Sequence, residues 1–388
     1  LVPEISPLTW AVGIAALVLG ILAGHFGWGR RWPARFSKLH PDYLAGLHYL
    51  VTEQPDRALD VFLKLMEANA DTLETHFALG ALYRRRGEVE RAIRIHQSLL
   101  AREALAPEYR EQALLALAQD YLRAGLLDRA ERLFQEVSEV PRLRATALDS
   151  LRGVYERQHE WRLALDTHRK LARSKAAPPR LVAAHYLCEL AALSIERGDT
   201  GDARRLLREA RRETAPFPRA AVLRAQIAAG EGHDLLAVRL LRAALRDAPQ
   251  LIQEHLPELL RLAGPRAQDA LLAELIEHAE SRGVAELKRL VFAALAAGLT
   301  DAPPLRMAIE TVFAKDAMLH EVWRATAERQ NSFVGDALRV ALEIRALLVH
   351  AERFRCSECG FAGRSFYWHC PACHAWDSFE AHAIVNLS

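Results

Sequence analysis

Six alanines recur along the middle of the chain at a spacing that only a stacked-repeat architecture explains. Ala58, Ala92, Ala130, Ala164, Ala203 and Ala237 are separated by 34, 38, 34, 39 and 34 residues. Internal periods of this size mark arrays of small supersecondary units, each unable to bury its apolar face alone. Tyr49, Tyr83, Tyr121 and Tyr155 repeat ahead of the first four alanines, and Phe62, His96, Phe134, His168, Leu207 and Leu241 stand four residues past each alanine. Gly87, Gly125, Gly198 and Gly232 fall between the two halves of their units. A small Ala lets one helix sit close to another. The large side chain beside it fills the remaining gap, and Gly permits a tight turn. The pattern predicts stacked antiparallel helical hairpins, with the two longer gaps taken up as longer loops. The composition, rich in Ala, Leu, Arg and Glu, favours helix as well.

His76-Phe77-Ala78-Leu79-Gly80-Ala81-Leu82-Tyr83, Gly87 and Arg91-Ala92-Ile93 carry a resemblance to the tetratricopeptide repeat, a helix–turn–helix unit with Leu-Gly-x-x-Tyr in its first helix. Six copies in register predict an all-α superhelix over residues 42–350, whose inner surface is lined mainly by first helices. The match fades after about Pro249. Residues 251–350 still read as helices, for example 267–278 and 336–349, but their repeat boundaries are not legible. Such a surface holds polypeptides and has no chemistry of its own. Nothing in the chain reads as a nucleophile–base pair, a Gly-rich phosphate loop or His-Glu-x-x-His, so the expectation is a protein without enzymatic activity.

Residues 8–28 contain no charged side chain. As a helix this segment rises about 30 Å, the thickness of a bilayer's hydrocarbon core. Trp10 and Trp28 stand at its ends, where indoles favour the lipid–water boundary. A cleaved signal peptide would want a basic leader; here Glu4 precedes the apolar run and Arg30 and Arg31 follow it. Arg30, Arg31, Arg35 and Lys38 on the C-terminal flank place the bulk of the chain in the cytoplasm. The expected organisation is a short outer N-terminus (1–7), a single transmembrane helix (8–28), a basic juxtamembrane linker (29–41) and the array (42–350). Ala16, Gly20 and Gly24 make a small-residue stripe through which a second membrane helix could approach.

Residues 351–388 form a separate module. Cys356-x-x-Cys359 and Cys370-x-x-Cys373 supply four thiolates with the spacing of a tetrahedral metal site. Zinc is the default ion, and iron suits the same donor set. A site closed by four cysteines has no open position for water, so its expected role is structural. Phe354, Phe361, Phe366, Tyr367, Trp368 and Trp376 are more aromatic surface than so small a module needs, which predicts docking against the last helices of the array. Cys188 lies inside a repeat helix and reads as a buried thiol. The module's three Arg against four acids, and 51 basic against 49 acidic residues in the whole chain, disfavour nucleic acid as a partner.

Anchor, array and metal module together resemble the lipopolysaccharide assembly protein B family of Gram-negative inner membranes. The resemblance is carried by Asp42-Tyr43-Leu44-Ala45-Gly46, residues 86–97, Ala124-Gly125-Leu126-Leu127-Asp128-Arg129-Ala130-Glu131 and Tyr367-Trp368-His369-Cys370-Pro371-Ala372-Cys373. It implies a rubredoxin-like C-terminal module with Cys356, Cys359, Cys370 and Cys373 as ligands. His374 stands where rubredoxin knuckles often have Gly, which loosens the analogy to electron transfer. The family's role, as the resemblance implies it, is that of an adaptor. It presents the lipid A pathway deacetylase to a membrane-anchored, ATP-dependent metalloprotease, opposed by an inner-membrane regulator with a periplasmic domain. A non-degradative scaffold for envelope synthesis is the alternative.

Overall fold

The computed structural model describes residues 41–52, 54–68, 73–173, 179–299, 302–330, 340–341 and 353–381. The expected transmembrane helix 8–28, its stripe Ala16, Gly20 and Gly24, and the basic residues Arg30 to Lys38 lie outside them. Among the described residues no helix is long and apolar enough to cross a membrane.

The chain divides into two compact units, Leu1–Arg144 and Ala145–Ser388. The first contains the helices α1 (Pro41–Val51), α2 (Pro55–Ala68), α3 (Leu73–Arg85), α4 (Val89–Leu100), α5 (Pro107–Arg123) and α6 (Leu127–Ser138), paired as antiparallel hairpins. The second opens with α7 (Arg144–Arg157), α8 (Trp161–Ala172), α9 (Arg180–Glu196), α10 (Thr200–Glu213), α11 (Pro218–Gly230) and α12 (Asp234–Asp247). It continues through α13 (Ile252–Ala263), α14 (Gln268–Arg282), α15 (Val284–Ala296), α16 (Pro303–Lys315) and α17 (Ala317–Gln330).

The alanine series does what its spacing predicts. All six alanines sit in second helices with no exposed surface, and their large companions Phe62, His96, Phe134, His168, Leu207 and Leu241 are buried beside them. Close approach is needed on the facing helix too. A Cβ added to Gly80 would come within 2.5 Å of the His96 ring, and one added to Gly46 within 2.7 Å of Phe62. The inter-helix turns share one backbone geometry. The amides of Glu88, Leu126, Glu160, Asp199 and His233 each donate to the carbonyl five residues earlier, which closes the preceding helix. Gly87, Gly125, Gly198 and Gly232 take φ between 76° and 82° in these turns. In the α7–α8 hairpin, which has no turn glycine, His159 occupies the same left-handed position, at φ 58°.

The two longer gaps do not become loops alone. α5 and α9 each run 17 residues, against 13 for α3 and α11, so much of the insertion lengthens first helices by about one turn. In the first unit, His96 fills an aromatic's place and meets buried polar partners. Its Nδ1 contacts Asp120 Oδ2, and Arg84 donates to Asp120 Oδ1 at 2.7 Å, stitching α3, α4 and α5 together.

Past Pro249 the register changes. α13 packs on α15, and α14 on α15 and α16. Their core is built from Leu256, Leu259, Leu287, Leu290, Phe292, Ile309 and Phe313, with no Ala-plus-aromatic signature. The last described segment is a three-stranded antiparallel sheet in the order β2-β1-β3, from β1 (Phe354–Cys356), β2 (Ala362–Gly363) and β3 (Phe379–Ala381). Phe354, Phe366 and Phe379 belong to the same apolar core as the helices from α11 to α16.

Candidate metal centre

The local chain path explains why the four cysteines converge. In the first knuckle, the Cys356 amide donates to Phe361 C=O at 2.8 Å and the Gly360 amide to Cys356 C=O at 3.0 Å. The second repeats it: Cys370 N–H to Ala375 C=O at 2.9 Å, and His374 N–H to Cys370 C=O at 2.9 Å. Gly360 and His374 hold equivalent positions, with φ 76° and 62°. His374 therefore adopts the conformation that glycine usually supplies, and the departure from the Gly pattern leaves the knuckle intact.

The Sγ atoms of Cys356, Cys359, Cys370 and Cys373 all lie within 4.8 Å of one another. Across the two knuckles, Cys356 and Cys373 are 3.7 Å apart, as are Cys359 and Cys370. A tetrahedron of metal–sulfur bonds near 2.3 Å has edges of about 3.8 Å, so this donor set fits a thiolate-bound ion. A bound metal would supply a cross-link between the knuckles. Cys356 and Cys370 are buried, while Cys359 and Cys373 face solvent. Burial opposes ionisation of Cys356, but the Ser378 hydroxyl and the amides of Cys359 and Glu358 outweigh it and bring the thiol down to about 6. Cys188 is the buried thiol its place in α9 suggests, pushed up to about 12 by burial.

Besides sharing an apolar core with the later helices, the module docks on helices much earlier along the chain. Trp376 Nε1 donates to Glu156 Oε1 of α7 at 3.2 Å. The Trp376 ring stacks on His185 of α9, with centroids 4.7 Å apart, and meets Trp161 of α8 edge-on at 6.0 Å. His185 Nε2 lies 2.9 Å from Asp377 Oδ2, and Arg219 of α11 donates to His185 Nδ1 at 3.2 Å. Burial lowers the pKa of His185, so the neutral ring accepts at Nδ1 and donates at Nε2. Arg219 also pairs with Glu189 at 2.7 Å and lies 5.8 Å from the centroids of both Trp368 and Trp376. Further along, Phe366 N–H donates to Glu254 of α13 at 3.3 Å, and Arg353 to the Gln253 carbonyl at 3.4 Å. The sequence marks the aromatic excess but not these partners. Glu156, Trp161, His185 and Arg219 carry no local motif and lie more than 130 residues from the cysteines.

The Rubredoxin metal binding domain family matches residues 354–381, and a Tetratricopeptide repeat family matches residues 75–110. Lipopolysaccharide assembly protein B of Escherichia coli K12 is 29% identical over 375 residues, covering 92% of this chain and 95% of that protein. The Haemophilus influenzae protein of the same name is also 29% identical, covering 92% and 96%. Among solved structures, the C-terminal part of a TPR repeat-containing protein from Cytophaga hutchinsonii aligns with 68% of this chain and 98% of its own, at 12% identity and a TM-score of 0.42. In its helical hairpins, its four-cysteine module and its sequence along nearly the full length, this chain is similar to the lipopolysaccharide assembly protein B proteins.

Proposed function

We propose that the chain regulates lipopolysaccharide assembly as a membrane-tethered adaptor without catalytic activity of its own. The observation that carries this reading is the near-full-length similarity to proteins named for lipopolysaccharide assembly. Residues 8–28 anchor the chain in the inner membrane with its bulk in the cytoplasm. The stripe Ala16, Gly20 and Gly24 meets a membrane helix of an ATP-dependent metalloprotease. The helical array holds the lipid A pathway deacetylase and brings it to that protease, and an inner-membrane regulator with a periplasmic domain opposes the transfer. Cys356, Cys359, Cys370 and Cys373 hold a structural ion, zinc in the first instance. That ion closes the module against α7, α9 and α11.

The test is the deacetylase half-life in cells with and without this chain. Adaptor action predicts a longer half-life when the chain is missing. A non-degradative scaffold leaves it unchanged, and that result would replace the adaptor reading. A second arm uses a chain lacking residues 1–28, which should stay folded yet fail to shorten the half-life.

A further inference from the structure

The helical array's hold on the module reaches the residues that flank the sulfurs. Arg219 covers Trp368 and Trp376 together, and His185 stacks on Trp376 while bonding Asp377. These module residues bracket the second knuckle. Trp368 stands two positions before Cys370, and Trp376 three positions after Cys373. The Asp377 amide donates to Trp368 C=O at 3.0 Å, which closes that loop at its base. The next residue, Ser378, places its hydroxyl 3.3 Å from Cys356 Sγ of the other knuckle. A continuous path of contacts thus runs from α11 and α9 through the base of the loop to the sulfurs.

We propose that Arg219 and His185 are positioning residues for the metal, holding the 368–378 loop closed and thereby setting how fast the ion leaves. The inference rests on the reading that the four cysteines bind metal. Cys359 and Cys373 face solvent, so a competing chelator reaches the ion from their side. Full release requires the second knuckle to swing away from the first, because the 3.7 Å sulfur pairs run between the knuckles. That swing carries Trp368, Trp376 and Asp377 with it and breaks their contacts to Arg219 and His185. Partners outside the ligand shell orient ligands in this way, and their loss costs about 10- to 100-fold in metal binding. The coupling is reciprocal. Any polypeptide that takes the face of α9 and α11 now covered by the module would loosen the ion, and ion loss would free that face.

The experiment uses the full chain in detergent micelles, loaded with zinc and challenged with excess 4-(2-pyridylazo)resorcinol, reading the rate of zinc transfer. Arg219→Ala and His185→Ala should release zinc about 10- to 100-fold faster than the parent chain, with Arg219→Lys between them and the parent. Asp377→Gly, made on the module side, removes the carboxylate yet suits the φ of 50° at that position, and should also accelerate release. The pair His185→Ala with Asp377→Gly should be no faster than His185→Ala alone, because the Asp377 contact is one of those that His185 makes. Far-UV circular dichroism checks that the helices persist, and Asp377→Gly decides the matter if a helix variant fails to fold. Parent-like release from Asp377→Gly and the folded helix variants overturns the inference and leaves the metal reading standing. A parent chain that binds no zinc or iron overturns the metal reading itself.

Discussion

Glu156 and Trp376, 220 residues apart in the chain, meet in a 3.2 Å hydrogen bond between Oε1 and the indole Nε1. Glu156 is buried, and the same oxygen accepts from Arg152 at 2.9 Å and from the Tyr186 hydroxyl. Burial and then the Glu156 charge push the Tyr186 phenol up, so it stays protonated and donates. One carboxylate therefore serves α7, α9 and the metal module.

Removing that carboxylate takes the acceptor from Trp376 and Tyr186, while Arg152 keeps Asp149 at 2.8 Å. Glu156→Ala should cost about 1–3 kcal/mol, the penalty of buried donors left unsatisfied. Glu156→Gln keeps an acceptor and should cost less. Urea unfolding followed by circular dichroism would rank the two. Equal stability for the parent and Glu156→Ala would show that the network contributes nothing.

Loss of one ligand should unfasten the module locally. Cys370→Ser is expected to lower bound metal and to open residues 353–381 to protease, since metal-binding energy is also folding energy here. Limited proteolysis with mass spectrometry reads the outcome, and a parent-like digest would contradict it.

Gly80 tests the close approach inside the first unit. Gly80→Ala puts a methyl 2.5 Å from the His96 ring, which its contact with Asp120 keeps from swinging aside. Overpacking of this kind costs about 1–3 kcal/mol. Gly153 has nothing within 4 Å of an added Cβ, so Gly153→Ala should match the parent or exceed it slightly in thermal unfolding.

His168 gives the second unit an acid limit. Burial, followed by the Arg152 charge, brings its pKa down to about 4 from a usual value near 6.5. The folded state thus binds the proton more weakly than the unfolded state. Stability is complete above the unfolded value and falls as pH drops from about 6.5 toward 4. The melting temperature should decline through that window, and His168→Gln should make the decline shallower. Parallel slopes for the two chains would remove His168 as a cause.

The helical array was legible because its geometry repeats. Each of the six alanines needs the same neighbour at the same distance, and Gly80 with Gly46 records the facing helix. Legibility ended where the packing stopped repeating. α13 to α16 interlock through leucines at no fixed interval, and a leucine buried in one arrangement looks like a leucine buried in another. The longer gaps were misread as loops because an added helical turn preserves the apolar period as well as a loop does. His159 hid a turn because left-handed backbone is expected of glycine, and His rarely takes it.

The four cysteines show the same division. Their convergence follows from two short Cys-x-x-Cys turns, which are local. Their docking on Glu156, His185 and Arg219 depends on contacts between residues 192 or more positions apart for the first two, and no local pattern records such a pairing.

That separation has a consequence for how the chain is made. The aromatic and ionic face around Glu156, Trp161, His185 and Arg219 emerges from the ribosome well before residues 366–378 that will cover it. At about 5–20 residues per second, the interval lasts on the order of ten seconds or more. Through that time the half-built helical array shows solvent an aromatic and ionic face that only the final segment closes.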